Sequence, residues 1–472
     1  MEYYNYSLQK RMFKDFKKKS LFNMSLKFGL RYLAESSKRD IFPSKIAIEN
    51  LHEFDETFPE KPASAENIIK KLNRFGSPAT VTQIGGRYFG FVCGSAVPAG
   101  LAAKNLATFW DQNSAMYVLS PITSKLESIV ENWIRDIFHL SDGYVTSFLS
   151  GSSMATFCGL AAARYRLLER MHWDIGTKGL NNAPPLRIVT GRQAHSTVLK
   201  AVSLLGFGTE HIEWVDVDEQ GRIKADKIPF LDDKTILILQ AGNVNSGSFD
   251  DFNSICTKAK EQGAWIHIDG AFGLWAAASE RLNHLTNGIE IGDSLSVDGH
   301  KTLNTPYDCG LLICGDKDAL KSALHMSGSY IVTSENRDGM FYTPEMSRRS
   351  RIIELWATMK SLGKEGIGQM VENMHERAVQ FRDSLKGIEG FTVLNDVVFN
   401  QVIITCKSDE LTAKTLKNIQ DSRICWVGGS QWFGRKVIRI SISSWSTTIE
   451  DVKKSVRSFA DSLSKAEKEI SK

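Results

Sequence analysis

The chain has 472 residues and a hydrophobic content of 42%, enough for a large core and, by length, for more than one domain. Its 58 Lys and Arg stand against 54 Asp and Glu, and a formal charge of +4 excludes a strong field for polyanions. No apolar run reaches the roughly 18 residues that span a bilayer.

Residues 1–95 read as a mixed N-terminal segment, partly helical and partly extended, punctuated near Pro59, Pro62 and Pro78. Tyr3, Tyr4 and the lysines that follow interrupt the apolar stretch of a secretory leader, so none is expected. The basic run Lys10, Arg11, Lys14, Lys17, Lys18, Lys19 reads as the solvated face of a helix rather than a nucleic-acid or lipid contact. Ser120-Pro121 then offers a cap followed by proline at the first helical position. Ile122, Leu126, Ile129, Val130, Trp133, Ile134 and Ile137 recur on one helical face before Ser141-Asp142-Gly143 stops it.

From about 144 to 315 apolar strand candidates alternate with helices. The strands are expected at 144–149, 186–190, 211–215, 235–239, 264–268, 294–297 and 310–314, with helices at 154–170 and 196–205 among them. That alternation predicts an α/β fold with a mainly parallel central sheet and chemistry in loops at the strand ends. Two helical stretches follow, at 350–362 and 368–385. Short strands at 391–394, 402–406, 425–427 and 437–443, with helices at 411–419 and 449–464, predict a small α+β C-terminal domain. The expected division is 1–95, 96–365 and 366–472. Seven scattered cysteines form no Cys-x-x-Cys pair, so neither a disulfide framework nor a zinc site is expected, and a reducing cytoplasm is.

Four strand-end positions carry candidate chemistry. Ser150-Gly151-Ser152-Ser153 follows a strand and opens a helix, so backbone N–H groups and the hydroxyls of Ser152 and Ser153 can meet an anion; taken alone, the pattern reads better as an ordinary helix start. His195, between a strand and a helix, can stack over a planar ring or cap the helix. Asp269 ends a very apolar strand, where a buried carboxylate needs a cation, either a pyridinium or a structural arginine. Lys301 follows His300 after another strand and is otherwise a surface lysine. An amine to capture an aldehyde, with a carboxylate on the far side to keep a pyridine nitrogen protonated, is what a pyridoxal phosphate (PLP) site requires. Four such signals in this order, all at strand ends, favour that site over chance.

These residues resemble those of the group II PLP-dependent amino-acid decarboxylases, which act on aromatic amino acids, glutamate and histidine, and in particular their bacterial branch. The similarity runs from about Tyr88 to the C-terminus. Tyr88-Phe89-Gly90-Phe91 with Pro98 matches a substrate-side segment, and Gln193-Ala194-His195-Ser196 the stacking-histidine motif. Gly242 through Asn245, then Ser248-Phe249-Asp250, matches a cofactor-side loop, Asp269-Gly270-Ala271 the pyridine-nitrogen motif and His300-Lys301 the lysine anchor. The resemblance implies a type I PLP-dependent transferase fold, decarboxylation of an amino acid to its amine, and an obligate homodimer whose subunits share each site, with the N-terminal segment packed on the partner. It implies catalytic roles for Lys301, His195, Asp269 and Tyr330, the last as proton donor. It implies cofactor contacts at Ser152, Ser153, His195, Asn245, Asp269, Ala271, His300 and Lys301. Arg439 is implied to hold the substrate carboxylate, Tyr88 and Phe89 to line the substrate pocket, and Arg348-Arg349 to be structural.

The chain departs from the family pattern at Asp298-Gly299, where Asn-Pro is usual before His-Lys. Asp298 is therefore not counted among the phosphate contacts. A carbon–carbon lyase, aldehyde synthase or aminotransferase on the same scaffold is the alternative activity. Tyr330 favours decarboxylation, because aldehyde synthesis in the family accompanies phenylalanine there. The sequence has no Gly-x-Ser-x-Gly for a serine hydrolase, and Gly206-Phe207-Gly208 lacks the third glycine of a dinucleotide site.

Overall fold

The seven expected strands of the alternating stretch all form, within a residue or two of their expected bounds. They are β1 (Val145–Leu149), β2 (Arg187–Gly191), β3 (Ile212–Val215), β4 (Thr235–Gln240), β5 (Trp265–Asp269), β6 (Ser294–Asp298) and β7 (Gly310–Cys314). The protein is represented by a computed structural model that describes residues 2–325 and 335–471. The strands form one sheet in the order β1-β7-β6-β5-β4-β2-β3. Only β7 runs against its neighbours, pairing antiparallel with β1 and β6, while the other pairs are parallel. Two reversals across β7 cancel, so the C-terminal ends of β1, β2, β4, β5 and β6 share one edge.

Both faces of this sheet are covered, so most of its strand residues are buried, including polar ones such as Thr146 and Ser296. On one face lies the helix Ser152–Arg170, whose small residues Ala155, Cys158, Gly159, Ala161, Ala162 and Ala163 allow close approach. A methyl group on Gly159 would lie 2.9 Å from Nδ1 of His267 on β5. The other face joins the largest core cluster, where Phe252, Trp275 and Phe138 pack.

A second sheet, β10-β11-β9-β8, is wholly antiparallel. Its strands are β8 (Thr392–Val393), β9 (Gln401–Thr405), β10 (Gly428–Trp432) and β11 (Arg435–Ser441). The helices Asp409–Ser422 and Ile449–Ile470 accompany it. The second opens with a reciprocal Thr448–Asp451 capping box.

One local expectation needs correction. The strand expected at 425–427 is displaced to Gly428–Trp432: Gly428 and Gly429 lie in the ladder, where a methyl on Gly429 would crowd Leu416 at 2.8 Å. The two helices expected at 350–362 and 368–385 both form, end to end within Ile352–Lys386, and part at Gly363, whose left-handed φ of 62° breaks the helical path. The helix Pro98–Trp110 gave no amphipathic signal, because Leu106, Phe109 and Trp110 point outward and apolar residues surround its axis.

Gly310 ties the fold to the site. It pairs with Leu149 on one side and Asp298 on the other, so β1 and β6 end against the same residue. A methyl there would meet the Cα of Gly151 at 2.3 Å, a backbone obstacle that cannot rotate away. Gly310→Ala is therefore expected to lower unfolding free energy by about 2–3 kcal/mol in denaturant titration, as other overpacked core positions do.

Candidate active site

Five segments deliver their residues to the shared edge of the large sheet. β1 leads to Gly151 and Ser152, β2 to His195, β4 to Asn245, β5 to Asp269, and β6 to Asp298, His300 and Lys301. The second sheet adds Arg439 from β11.

Asp269 is 6% exposed. Its Oδ1 accepts the Ala271 N–H at 3.2 Å and the Ser296 hydroxyl at 3.5 Å. Among the described residues it forms no ion pair, so the structural arginine considered as its partner is not there. Burial pushes its carboxyl above the usual range, and the fields of His195 and Lys301 pull it back.

His195 does cap its helix, but only with Nδ1, which accepts the Thr197 N–H at 3.3 Å and lies 2.7 Å from the Thr197 hydroxyl. The ring's Nε2 takes no part in the cap. Burial lowers its pKa, which favours neutral imidazole, and its titration feels Asp269, Lys301, Arg439 and Asp298. These groups thus form one electrostatic cluster drawn from distant parts of the sequence.

Lys301 Nζ lies 2.9 Å from Asp298 Oδ2. Asp298 also accepts the Ser152 N–H at 2.5 Å and the Ser152 hydroxyl at 2.8 Å. Its own N–H donates to the Ala271 carbonyl, so Ala271 holds both acidic strand ends. His300 is fixed through Nδ1 on the Cys309 backbone at 2.6 Å and packs against the Tyr307 ring, centroids 4.5 Å apart. Ser152 is buried, and Ser153 is exposed beside it on the first turn.

Arg439 donates from Nη1 to the Val244 carbonyl at 3.1 Å, while its buried Nε has no partner among the described residues. Burial lowers its guanidinium pKa. A part-buried cation with an unused N–H is suited to an incoming carboxylate. Asn245 is buried and accepts the Ser430 hydroxyl at 2.8 Å, which binds the loop after β4 to the second sheet.

Tyr88 stacks on Trp426 at 5.2 Å, and burial pushes its phenol up to about 12. Phe89 corrects an expectation. It is fully buried and meets the Phe381 ring edge-on, so it belongs to the core and not to a pocket wall. Tyr330 lies outside the described residues. Arg348 is buried on Glu127 at 2.6 Å and on the Phe148 and Ser114 carbonyls, and Arg349 pairs with Asp308 and Glu354. Both arginines are engaged in structural bonds.

Two neighbours escaped sequence reasoning. The Cys93 thiol is raised by burial and drawn back by the Tyr307 phenol and the charges of Lys301 and Arg439. The one available signal was Gly94: a methyl there would meet the Lys301 carbonyl at 2.1 Å, so this strip of chain crosses directly over the lysine.

A family model described as the pyridoxal-dependent decarboxylase conserved domain matches residues 49–407. The chain belongs to this family. Aromatic-L-amino-acid decarboxylase of Bacillus atrophaeus is 26% identical over 445 residues, 89% of this chain and 88% of that one. A phenylacetaldehyde synthase from a Rosa hybrid cultivar is 25% identical over 362 residues, 71% and 69% of the two chains. In fold, this decarboxylase is similar to Oryza sativa TDC crystallised with PLP and tryptamine, with a TM-score of 0.85 at 21% identity, over 96% of this chain and 98% of that one. It has the type I fold of the PLP-dependent decarboxylases, and its cofactor is PLP. The residues present fit that group: a buried carboxylate without a cation at Asp269, an amine at Lys301, and N–H and hydroxyl donors at a helix start.

Proposed function

We propose that this pyridoxal-dependent decarboxylase removes the α-carboxylate of an uncharged or aromatic L-amino acid, releasing CO₂ and the corresponding amine. The observation that carries the residue assignment is Asp269, buried and without a cation, in one electrostatic cluster with Lys301, His195 and Arg439. When bound, PLP supplies a ring that accepts the electrons of the broken Cα–carboxylate bond.

The chain's own residues do the rest. Lys301 would hold the cofactor through its ε-amine. Asp269 would keep a proton on the ring nitrogen, and His195, its imidazole favoured in the neutral form by burial, would pack against the ring. Ser152 and Ser153 would hold the phosphate at the positive end of their helix, and Asn245, Ala271 and His300 would make further contacts to the cofactor. Arg439 grips the substrate carboxylate and orients the bond to be broken. Tyr330 returns the proton to the carbon that lost CO₂.

The side-chain preference rests on Tyr88 and Phe91, which stack on Trp426 and form an aromatic layer. We further infer a homodimer, because most exposed large apolar side chains, including Phe13, Phe16, Phe22, Phe58, Phe109 and Trp110, fall in the first 122 residues. The division into 1–95, 96–365 and 366–472, with the first segment packed on the partner, belongs to the same reading. So does cytoplasmic residence, supported by seven cysteines that are all free thiols. No helix among the described residues is long and apolar enough to cross a membrane.

The test is an amino-acid panel with PLP, measuring amine, CO₂, ammonia, peroxide and aldehyde. Amine and CO₂ in equal amounts, greatest on aromatic substrates and without ammonia or peroxide, is the expected result. Aldehyde with ammonia and peroxide would assign the chain to aldehyde synthesis instead.

A further inference from the structure

Asp298 takes up the donors expected to serve an anionic ligand. It is 1% exposed, and it receives both the backbone N–H and the hydroxyl of Ser152, the first residue of the long helix Ser152–Arg170. The same carboxylate faces Lys301 at 2.9 Å and the Nε2 of His300 at 3.7 Å. Asp269, His195, Tyr307 and Cys309 also feel its charge. A methyl on Gly151 would come within 3.5 Å of its Oδ1, so little spare room surrounds it.

We propose that Asp298 competes with the cofactor's phosphate for the Ser152 donors and yields by taking up a proton, so that binding of PLP consumes about one proton. The inference rests on the reading that Ser152 and Ser153 hold the phosphate. Ionised, Asp298 is a second anion on one helix end. Protonated, it becomes an O–H donor to a phosphate oxygen, and rival turns into ligand.

The sign follows from the neighbours. Burial raises the Asp298 carboxyl, but Lys301, His300 and the Ser152 hydroxyl outweigh it, and the net shift is downward. Without phosphate the group is ionised at neutral pH. A phosphate dianion on Ser152 disfavours that charge and raises the carboxyl's pKa. Proton uptake on binding then makes the phosphate's contribution fall as pH rises.

The experiment compares PLP with pyridoxal, which has the same aldehyde and ring but no phosphate. Both depend equally on Lys301, so the ratio of their dissociation constants isolates the phosphate. The ratio, read from tryptophan fluorescence between pH 6.5 and 8.5, lies above the phosphate's own second ionisation near pH 6. In the natural chain it is expected to fall by up to about tenfold per pH unit. In Asp298→Asn it is expected to be flat and at least about tenfold higher at pH 8.5. A large ratio that does not change with pH in the natural chain overturns the inference, whatever the variant does. So does an Asp298→Asn protein with a lower ratio. A ratio near one at every pH shows instead that no phosphate site exists, which defeats the underlying assignment of Ser152 and Ser153.

Discussion

Lys301→Ala loses turnover by about three orders of magnitude or more, and with it the visible absorbance of covalently held cofactor. The reason is chemical rather than architectural. Lys301 follows β6 in a turn, with its side chain 19% exposed, and its ion-pair partner is Asp298. Alanine leaves Asp298 with the Ser152 N–H and hydroxyl and with His300 nearby, so that carboxylate is not stranded. The stability cost should therefore fall near or below the lower end for broken buried pairs, about 1–3 kcal/mol. Lys301→Arg separates the two effects. A guanidinium restores the positive charge beside Asp298 but offers no nucleophilic amine at neutral pH. It should recover most of the lost stability and none of the turnover or colour. An alanine variant that kept both absorbance and turnover would remove Lys301 from the chemistry.

The large sheet was legible because its strands are buried on both faces. β4 and β5 are buried throughout, and the apolar runs at 236–239 and 264–266 needed no alternation to be read. The polar strand ends stood out against them, and this is why Asp269 and the His300-Lys301 pair could be singled out. Legibility failed where the apolar signal lost contrast. Pro98–Trp110 is apolar on several sides and exposes Phe109 and Trp110, so no face could be assigned. Phe89 illustrates a different limit. Its neighbour Tyr88 bridges to Trp426 and keeps company with the site, while Phe89 turns into the core against Phe381. Adjacent residues in an extended segment point to opposite sides, and the pattern around them did not say which side faced the site. Cys93 and Tyr307 lie more than two hundred residues apart, and only the crossing of Gly94 over Lys301 brings them together. The role of Asp298 was hidden because its partner Ser152 is 146 positions away, joined through a shared neighbour in β7.

Asp269→Asn is expected to separate stability from catalysis in opposite directions. The carboxylate ends β5, is 6% exposed and meets no cation among the described residues, so in the protein alone its charge is costly. Asparagine has the same shape. Its Oδ1 can keep the Ala271 N–H and the Ser296 hydroxyl, and the buried charge is gone. Melting temperature without added cofactor should stay level or rise. Catalysis should respond oppositely. A carboxylate accepts an N–H and stabilises the positive charge of a protonated ring nitrogen. An amide that uses its oxygen on Ala271 presents NH₂ on the other side, which favours an unprotonated nitrogen and a weaker electron sink. Loss of one preorganised charge-stabilising group is worth about 10²–10³ in kcat, and kcat should fall by at least that much. Binding of PLP itself should weaken less, because Lys301 and the Ser152 helix start are untouched. Denaturation curves and steady-state kinetics on the same preparation decide the matter. If Asp269 were instead a structural anchor for the β5 end, Asn would lower the melting temperature and leave kcat near that of the natural chain.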